Sequence, residues 1–234
     1  MKSVVIHRIA IGMSALLLLA GVVAYLYLRQ TRSIQPVAVS LYALVPADAM
    51  AVVETDDVVE FVEDSSEGTF VDTSLPESDI VECLKNYVQA FLEASPHGLS
   101  AQLSKVLLSY HQPEGSMNQV LYCNVEADDA DLFKRFFMRN FLNPVAEPEV
   151  IRYQGEEIAV YQLTDGHSLA VYTTGDLMAL SLSSELLQRV IDAQQQSGTL
   201  SGNAAFMDLQ SSKSSFVRTA VYQQKDNHWQ LIYQ

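Results

Sequence analysis

The chain has 234 residues, 49% of them hydrophobic and 18% charged, which excludes a disordered chain because disorder needs low apolar content and dense charge. Its 14 basic and 28 acidic residues give a net charge of -14, the wrong sign for a protein that grips nucleic acid phosphates. Ten Gly, seven Pro and two Cys exclude collagen-like, low-complexity and disulfide-scaffold chains.

Residues 1–8 are a short basic segment carrying Lys2 and Arg8. The run from Ile9 to Leu28 then holds 20 residues without a charge. At about 1.5 Å per residue it spans about 30 Å of hydrocarbon, enough to cross a bilayer. Tyr25 and Tyr27 suit the headgroup level, and Arg29 and Arg32 close the span. A cleavable signal peptide is the alternative, with Val22-Val23-Ala24 as its cleavage site, but the apolar run continues past that point and is longer than an ordinary h-region. The expectation is an uncleaved anchor at 9–28. Lys2, Arg8 and the α-amino group favour an inside N-terminus with the long C-terminal part outside, a single-pass protein of the bacterial inner membrane with a periplasmic domain.

A linker over 29–40, containing Pro36, leads into an acidic domain at 41–234. Residues 1–32 hold four basic residues and no acidic ones, so the rest of the chain carries a net charge of -18. Twelve acids lie between Asp48 and Glu82 with no Lys or Arg from Ser33 to Leu84, a solvated face that repels anionic headgroups.

Along that domain the pattern predicts a strand at Ala49 to Thr55, then a short helical run through Val58, Val59, Phe61 and Val62 started by Asp56 and Asp57. A helix follows from Ser78 to Ser95, with Ile80, Leu84, Val88 and Phe91 on its apolar face. Lys105 to His111 and Gln119 to Glu126 read as a hairpin around Gln112-Pro113-Glu114-Gly115. Asp128 starts a helix whose Leu132, Phe133, Phe136, Phe137 and Phe141 form a core stripe. Strands are then expected at Val150 to Tyr153, Glu157 to Leu163, Ser168 to Thr173 and Leu177 to Ser183. A helix capped by Ser184 buries Leu186, Leu187, Val190 and Ile191, Asn203 to Leu209 makes a short helical turn, and Phe216 to Gln223 and His228 to Tyr233 close the chain as β-strands. The fold class expected is α+β, a mostly antiparallel sheet of six to nine strands with helices on one face, preceded by one transmembrane helix. Val53-Glu54-Thr55-Asp56-Asp57 with Phe61 recurs 72 residues later as Val125-Glu126-Ala127-Asp128-Asp129 with Phe133, as two similar βα units would require.

Three segments, Leu44-Val45-Pro46-Ala47-Asp48-Ala49, Lys105 to His111, and Ser183-Ser184-Glu185-Leu186-Leu187 leading to Leu200 and Phe206, together resemble a family of uncharacterised bacterial envelope proteins. That family is known as a domain of unknown function with an N-terminal anchor and a long exported part. The resemblance covers most of residues 41–210 and implies the same address. It brings no catalytic residue.

Chemistry is sparse. None of His7, His97, His111, His167 and His228 sits at metal spacing with another, and His111, at a strand end, reads as a boundary residue. Asp165-Gly166-His167-Ser168 holds the side chains of a triad in one turn, but a working triad draws them from separate elements, and no G-x-S-x-G elbow occurs. Nucleotide, zinc-protease and EF-hand motifs are absent from the sequence. Asp56-Asp57 and Asp128-Asp129-Asp131 read as helix caps before they read as calcium ligands. Cys83 and Cys123 could pair, but each lies beside apolar residues and is expected to be a buried reduced thiol. No catalytic, cofactor or metal residue is assigned. The reading is a non-catalytic, membrane-anchored envelope protein that binds or scaffolds another envelope component, with an exported hydrolase and a calcium-dependent surface module as the rivals. Its partners are the bilayer through Ile9 to Leu28 and a protein of the envelope, and not nucleic acid.

Overall fold

A computed structural model gives two compact units, Met1–Val39 and Ser40–Gln234. The structure describes residues 40–57, 105–113, 118–124, 148–163, 166–214 and 216–233, all of the second unit. The span at 9–28, the three helices expected within 58–95 and 128–141, the second copy of the repeat, and His7, His97, Cys83 and Asp165 lie outside the described residues.

Among the described residues nine strands form one sheet: β1 (Ala51–Thr55), β2 (Val106–Tyr110), β3 (Gln119–Asn124), β4 (Glu149–Tyr153), β5 (Glu156–Gln162), β6 (Ser168–Thr174), β7 (Leu177–Ser181), β8 (Thr219–Lys225) and β9 (His228–Tyr233). Their order is β4-β5-β6-β7-β3-β2-β1-β8-β9, and every neighbouring pair is antiparallel. With two helices beside it among the described residues, this is the α+β class expected from the sequence. Turn chemistry sets the hairpins. Asp226 and Asn227 sit at φ 51° and 61° between β8 and β9, the pair of left-handed residues that a two-residue turn needs to match the strand twist.

Strands β1, β2 and β7 are buried at all five residues, and β3 at its first five. The centre of the sheet is thus covered on both faces, which is why these strands read as nearly unbroken apolar runs. The side-chain period of two places Val52, Leu107, Tyr122, Ala179 and Tyr172 on one face and Val53, Leu108, Leu121 and Cys123 on the other. Cys123 is a free, buried thiol, as its apolar neighbours predict, and burial pushes it up to about 12, so it is inert.

Both described helices pack on the first of these faces. Helix α1 (Ser184–Gln195) lays Leu186, Leu187, Val190 and Ile191 over β5, β6, β7 and β3. Its cap is Ser183, not Ser184: Ser183 has extended backbone (φ -120°) and its Oγ accepts from Leu186 N, whereas Ser184 is already helical. Helix α2 (Ala204–Ser211), longer than the turn expected there, is capped by Asn203 Oδ1 on Phe206 N at 3.1 Å. That cap seats Phe206 edge-on among Tyr42, Tyr222 and Trp229, with ring centroids 5.1, 5.3 and 4.9 Å away. The expected strand from Phe216 begins only at Thr219, where pairing with Thr55 starts; Phe216 itself is 93% exposed.

The segment before β1 is tied to the connection between the helices. Leu200 N bonds Val45 O at 2.8 Å, Ala47 N bonds Gly198 O at 2.9 Å, and Leu41, Tyr42, Leu44 and Val45 are buried. These bonds fix Tyr42 and Asp48 against the sheet, and both enter the clusters described next.

Candidate functional site

Two buried polar clusters lie on the helix face, at opposite ends of β1 and β2. In strand β1 the alternation that buries Val52 also turns Glu54 inward, where it is fully buried. An ionised carboxylate there needs compensation, since burying an unpaired charge is prohibitive. Glu54 Oε2 accepts from Tyr42 Oη at 2.5 Å and from Tyr222 Oη at 3.3 Å. Its Oε1 pairs with Lys105 Nζ and, at 3.3 Å, with Lys213 Nζ. Lys213 is itself 9% exposed and reaches Asp56 at 3.5 Å, so two carboxylates face two ammonium groups. Burial pushes Glu54 up, but the hydrogen bonds from Lys105 and Tyr42 and the charges of Lys105 and Lys213 outweigh it and hold the carboxyl below its usual range. Tyr42 and Tyr222 are raised, first by burial and then by Glu54. Glu54 therefore stays an anion and the two phenols stay donors near neutral pH. A general acid or base needs a proton affinity matched to the working pH, and these three groups are moved away from it.

At the other end, Ser109 and His111 stand two residues apart on β2 and its continuation, on one face. Ser109 Oγ lies 2.8 Å from His111 Nε2 and 3.1 Å from Tyr122 Oη. His111 Nδ1 faces Asp48 Oδ1 at 3.7 Å, and Asp48 Oδ2 takes Arg189 Nη2 of α1 at 2.5 Å. His111 and Arg189 hold the Asp48 carboxyl down at about 2 against the burial that would raise it. At 3.7 Å the imidazole is an electrostatic neighbour rather than a hydrogen-bond donor, so the 2.5 Å contact with Arg189 does the anchoring.

The order hydroxyl, imidazole, carboxylate is that of a serine hydrolase triad, but the setting is not. Ser109 is fully enclosed in a central strand, His111 is 1% exposed, and the carboxylate is too far from Nδ1 to fix its tautomer. A nucleophile must stand open to substrate, typically on a sharp turn. What this arrangement does is pin α1 and the segment around Asp48 to the sheet, with Arg189 Nη1 also reaching Gln112 O at 3.4 Å.

The sequence expectation for His111 as a boundary residue is corrected: the strand alternation carries it into the interior beside Ser109. His167 is exposed, and the Ser168 hydroxyl bonds the Gln162 amide across the hairpin at 2.9 Å. His228 is exposed, with Nδ1 2.8 Å from Asp226 O. Of the acidic doublets, Asp56 faces Lys105 and Lys213, and Asp57 pairs with Arg218 at 2.6 Å. Among the described residues no three His, Cys, Asp or Glu side chains gather as a metal site. Sequence reasoning missed Glu54 as well. A Glu in an otherwise apolar strand was its signal; the distant partners Lys213 and Tyr222 had none.

No family model matches the chain, and no curated protein does. Among solved structures it is similar to crystal form I of TP0453, at 10% identity with a TM-score of 0.38 over 80% of this chain and 64% of that one. Crystal form IV of TP0453 gives 9% identity and a TM-score of 0.40 over 79% and 64%. The chain spans less than two thirds of those proteins, and so low an overlap carries no argument about function.

Proposed function

We propose that the protein is a single-pass, membrane-anchored envelope protein whose acidic domain binds or scaffolds another envelope component and catalyses no reaction. One observation carries the non-catalytic part: among the described residues the groups that could do chemistry, Ser109, His111 and Glu54, are enclosed, with Ser109 Oγ held by His111 Nε2 and Glu54 by Tyr42. Such clusters lock elements together, as Arg189 does for α1 and Lys213 for the loop after α2. The address rests on the uncharged span from Ile9 to Leu28 and the basic residues before it. A hydrolase is the second reading, favoured only by the ordering of Ser109, His111 and Asp48.

Fractionation tests the address. The full chain is expected in the membrane pellet after carbonate extraction, and protease added to spheroplasts is expected to digest the part after Arg32. Recovery in the soluble fraction would remove the anchor, and full protection of the C-terminal part would reverse the topology.

A further inference from the structure

The interior of the Ser109 cluster leaves one polar atom unanswered. His111 is buried and its Nε2 lies against Ser109 Oγ at 2.8 Å, yet its Nδ1 has no hydrogen-bond partner. A buried polar atom in that state is costly. Asp48 Oδ1 stands 3.7 Å away, out of hydrogen-bond range and too near for a bridging water, which needs about 4.5 Å between the groups it joins. The charged and titratable groups facing the ring come from three elements: Asp48 from the segment before β1, Arg189 from α1 by way of Asp48, and Tyr122 from β3 by way of Ser109. Burial raises the Tyr122 phenol and keeps it neutral, while Asp48, held down at about 2, stays ionised. What Nδ1 does then depends on the ring's own protons. With a proton on Nε2 alone, Nδ1 turns a lone pair toward a carboxylate. With protons on both nitrogens, Nε2 donates to Ser109, whose hydroxyl turns to Tyr122 Oη, and Nδ1 aims a cationic N–H at Asp48.

We propose that His111 and Asp48 form a proton-operated latch: when both ring nitrogens carry protons, Asp48 closes on Nδ1 and tightens the segment before β1, and α1 through Arg189, onto the sheet. When the ring is neutral, Asp48 is held by Arg189 alone. The carboxylate stands between the two cations with one oxygen toward each, so attraction to it exceeds their mutual repulsion. The backbone transmits the closure, because Asp48 lies between Ala47, whose N–H bonds Gly198 O at 2.9 Å, and Met50, whose N–H bonds Tyr110 O at 2.8 Å. The sign is fixed by linkage: the added stability belongs to the doubly protonated ring, so it is present in mild acid and lost as pH rises. Glu54 works in the opposite sense, losing its contribution in stronger acid, and the two effects separate. The latch holds whether or not the domain binds a partner.

The test uses the full chain in detergent at about pH 8 and about pH 5.5, either side of the ordinary charge change of an imidazole. Amide exchange is read as protection factors, in which the chemical effect of pH on exchange cancels. Protection at Ala47, Met50 and Leu200, whose N–H groups bond Gly198 O, Tyr110 O and Val45 O, is expected to rise about threefold or more in wild type at the lower pH. His111→Gln, which cannot take up the proton, is expected to lose the rise. Should that variant not fold, Asp48→Asn, at an exposed position, is expected to lose it too. The ring nitrogens of wild-type His111, followed by their nitrogen chemical shifts, are expected to carry one proton at the higher pH and two at the lower. A rise that survives in either variant, protection that is unchanged or falls in wild type at the lower pH, or a ring with the same protons at both would each overturn the proposal.

Discussion

Replacing Glu54 with Ala is expected to destabilise the domain by about 3–5 kcal/mol, the cost of breaking a buried ion pair by removing one partner. The loss leaves Lys213, only 9% exposed, without its buried carboxylate, and frees the hydroxyls of Tyr42 and Tyr222 on the same face. Glu54→Gln keeps the shape but replaces one of the two accepting oxygens by a donor NH2 and removes the charge, and is expected to fall between. The pH dependence has a definite sign. Glu54 is held below its unfolded value, so its contribution is complete above the ordinary carboxylate range and is lost as pH falls through the folded value. Urea titration of wild type and Glu54→Gln should therefore show a gap that is widest near neutrality and narrows in acid. A gap that is absent at pH 7 would mean that the cluster contributes no net stability.

Phe206→Ala is expected to cost about 3–5 kcal/mol as well, through lost burial and the cavity left behind. Phe206 is fully buried and its ring meets Tyr42, Tyr222 and Trp229 edge-on, so its removal unties α2 from β8, β9 and the segment before β1 together. The single tryptophan reports the change. Its emission is expected to shift to the red and near-ultraviolet dichroism to fall, while the far-ultraviolet spectrum of the sheet is retained. Phe206→Leu, which keeps much of the volume, is expected to cost clearly less. Equal losses for Ala and Leu would show that the ring contacts, rather than the filled volume, hold α2.

The strands were legible because period-two patterning and turn residues are local signals. His228 to Tyr233 coincides with β9, and the other predicted strands shared with the structure differ by a few residues at their ends. The start of β8 was misplaced because Phe216 looks like a core residue in sequence but stands outside the ladder. Ser183 and Ser184 are equally good caps by type, and only the bond from Leu186 N separates them. The clusters were half legible. Ser109 and His111 share a face by spacing alone, and Glu54 stands out among valines. Their meaning depends on Asp48, Arg189, Lys213 and Tyr222, which come from 61 to 168 residues away and meet them only through the sheet order and the packing of the helices.

The most direct measurement of the non-catalytic reading is labelling of the native full-length protein with a fluorophosphonate, which reacts only with an activated serine that it can reach. With Ser109 enclosed and its hydroxyl shared between His111 and Tyr122, the labelling of wild type is expected to equal that of Ser109→Ala. Stoichiometric modification at Ser109 that disappears in His111→Ala would contradict the account and make the protein a hydrolase.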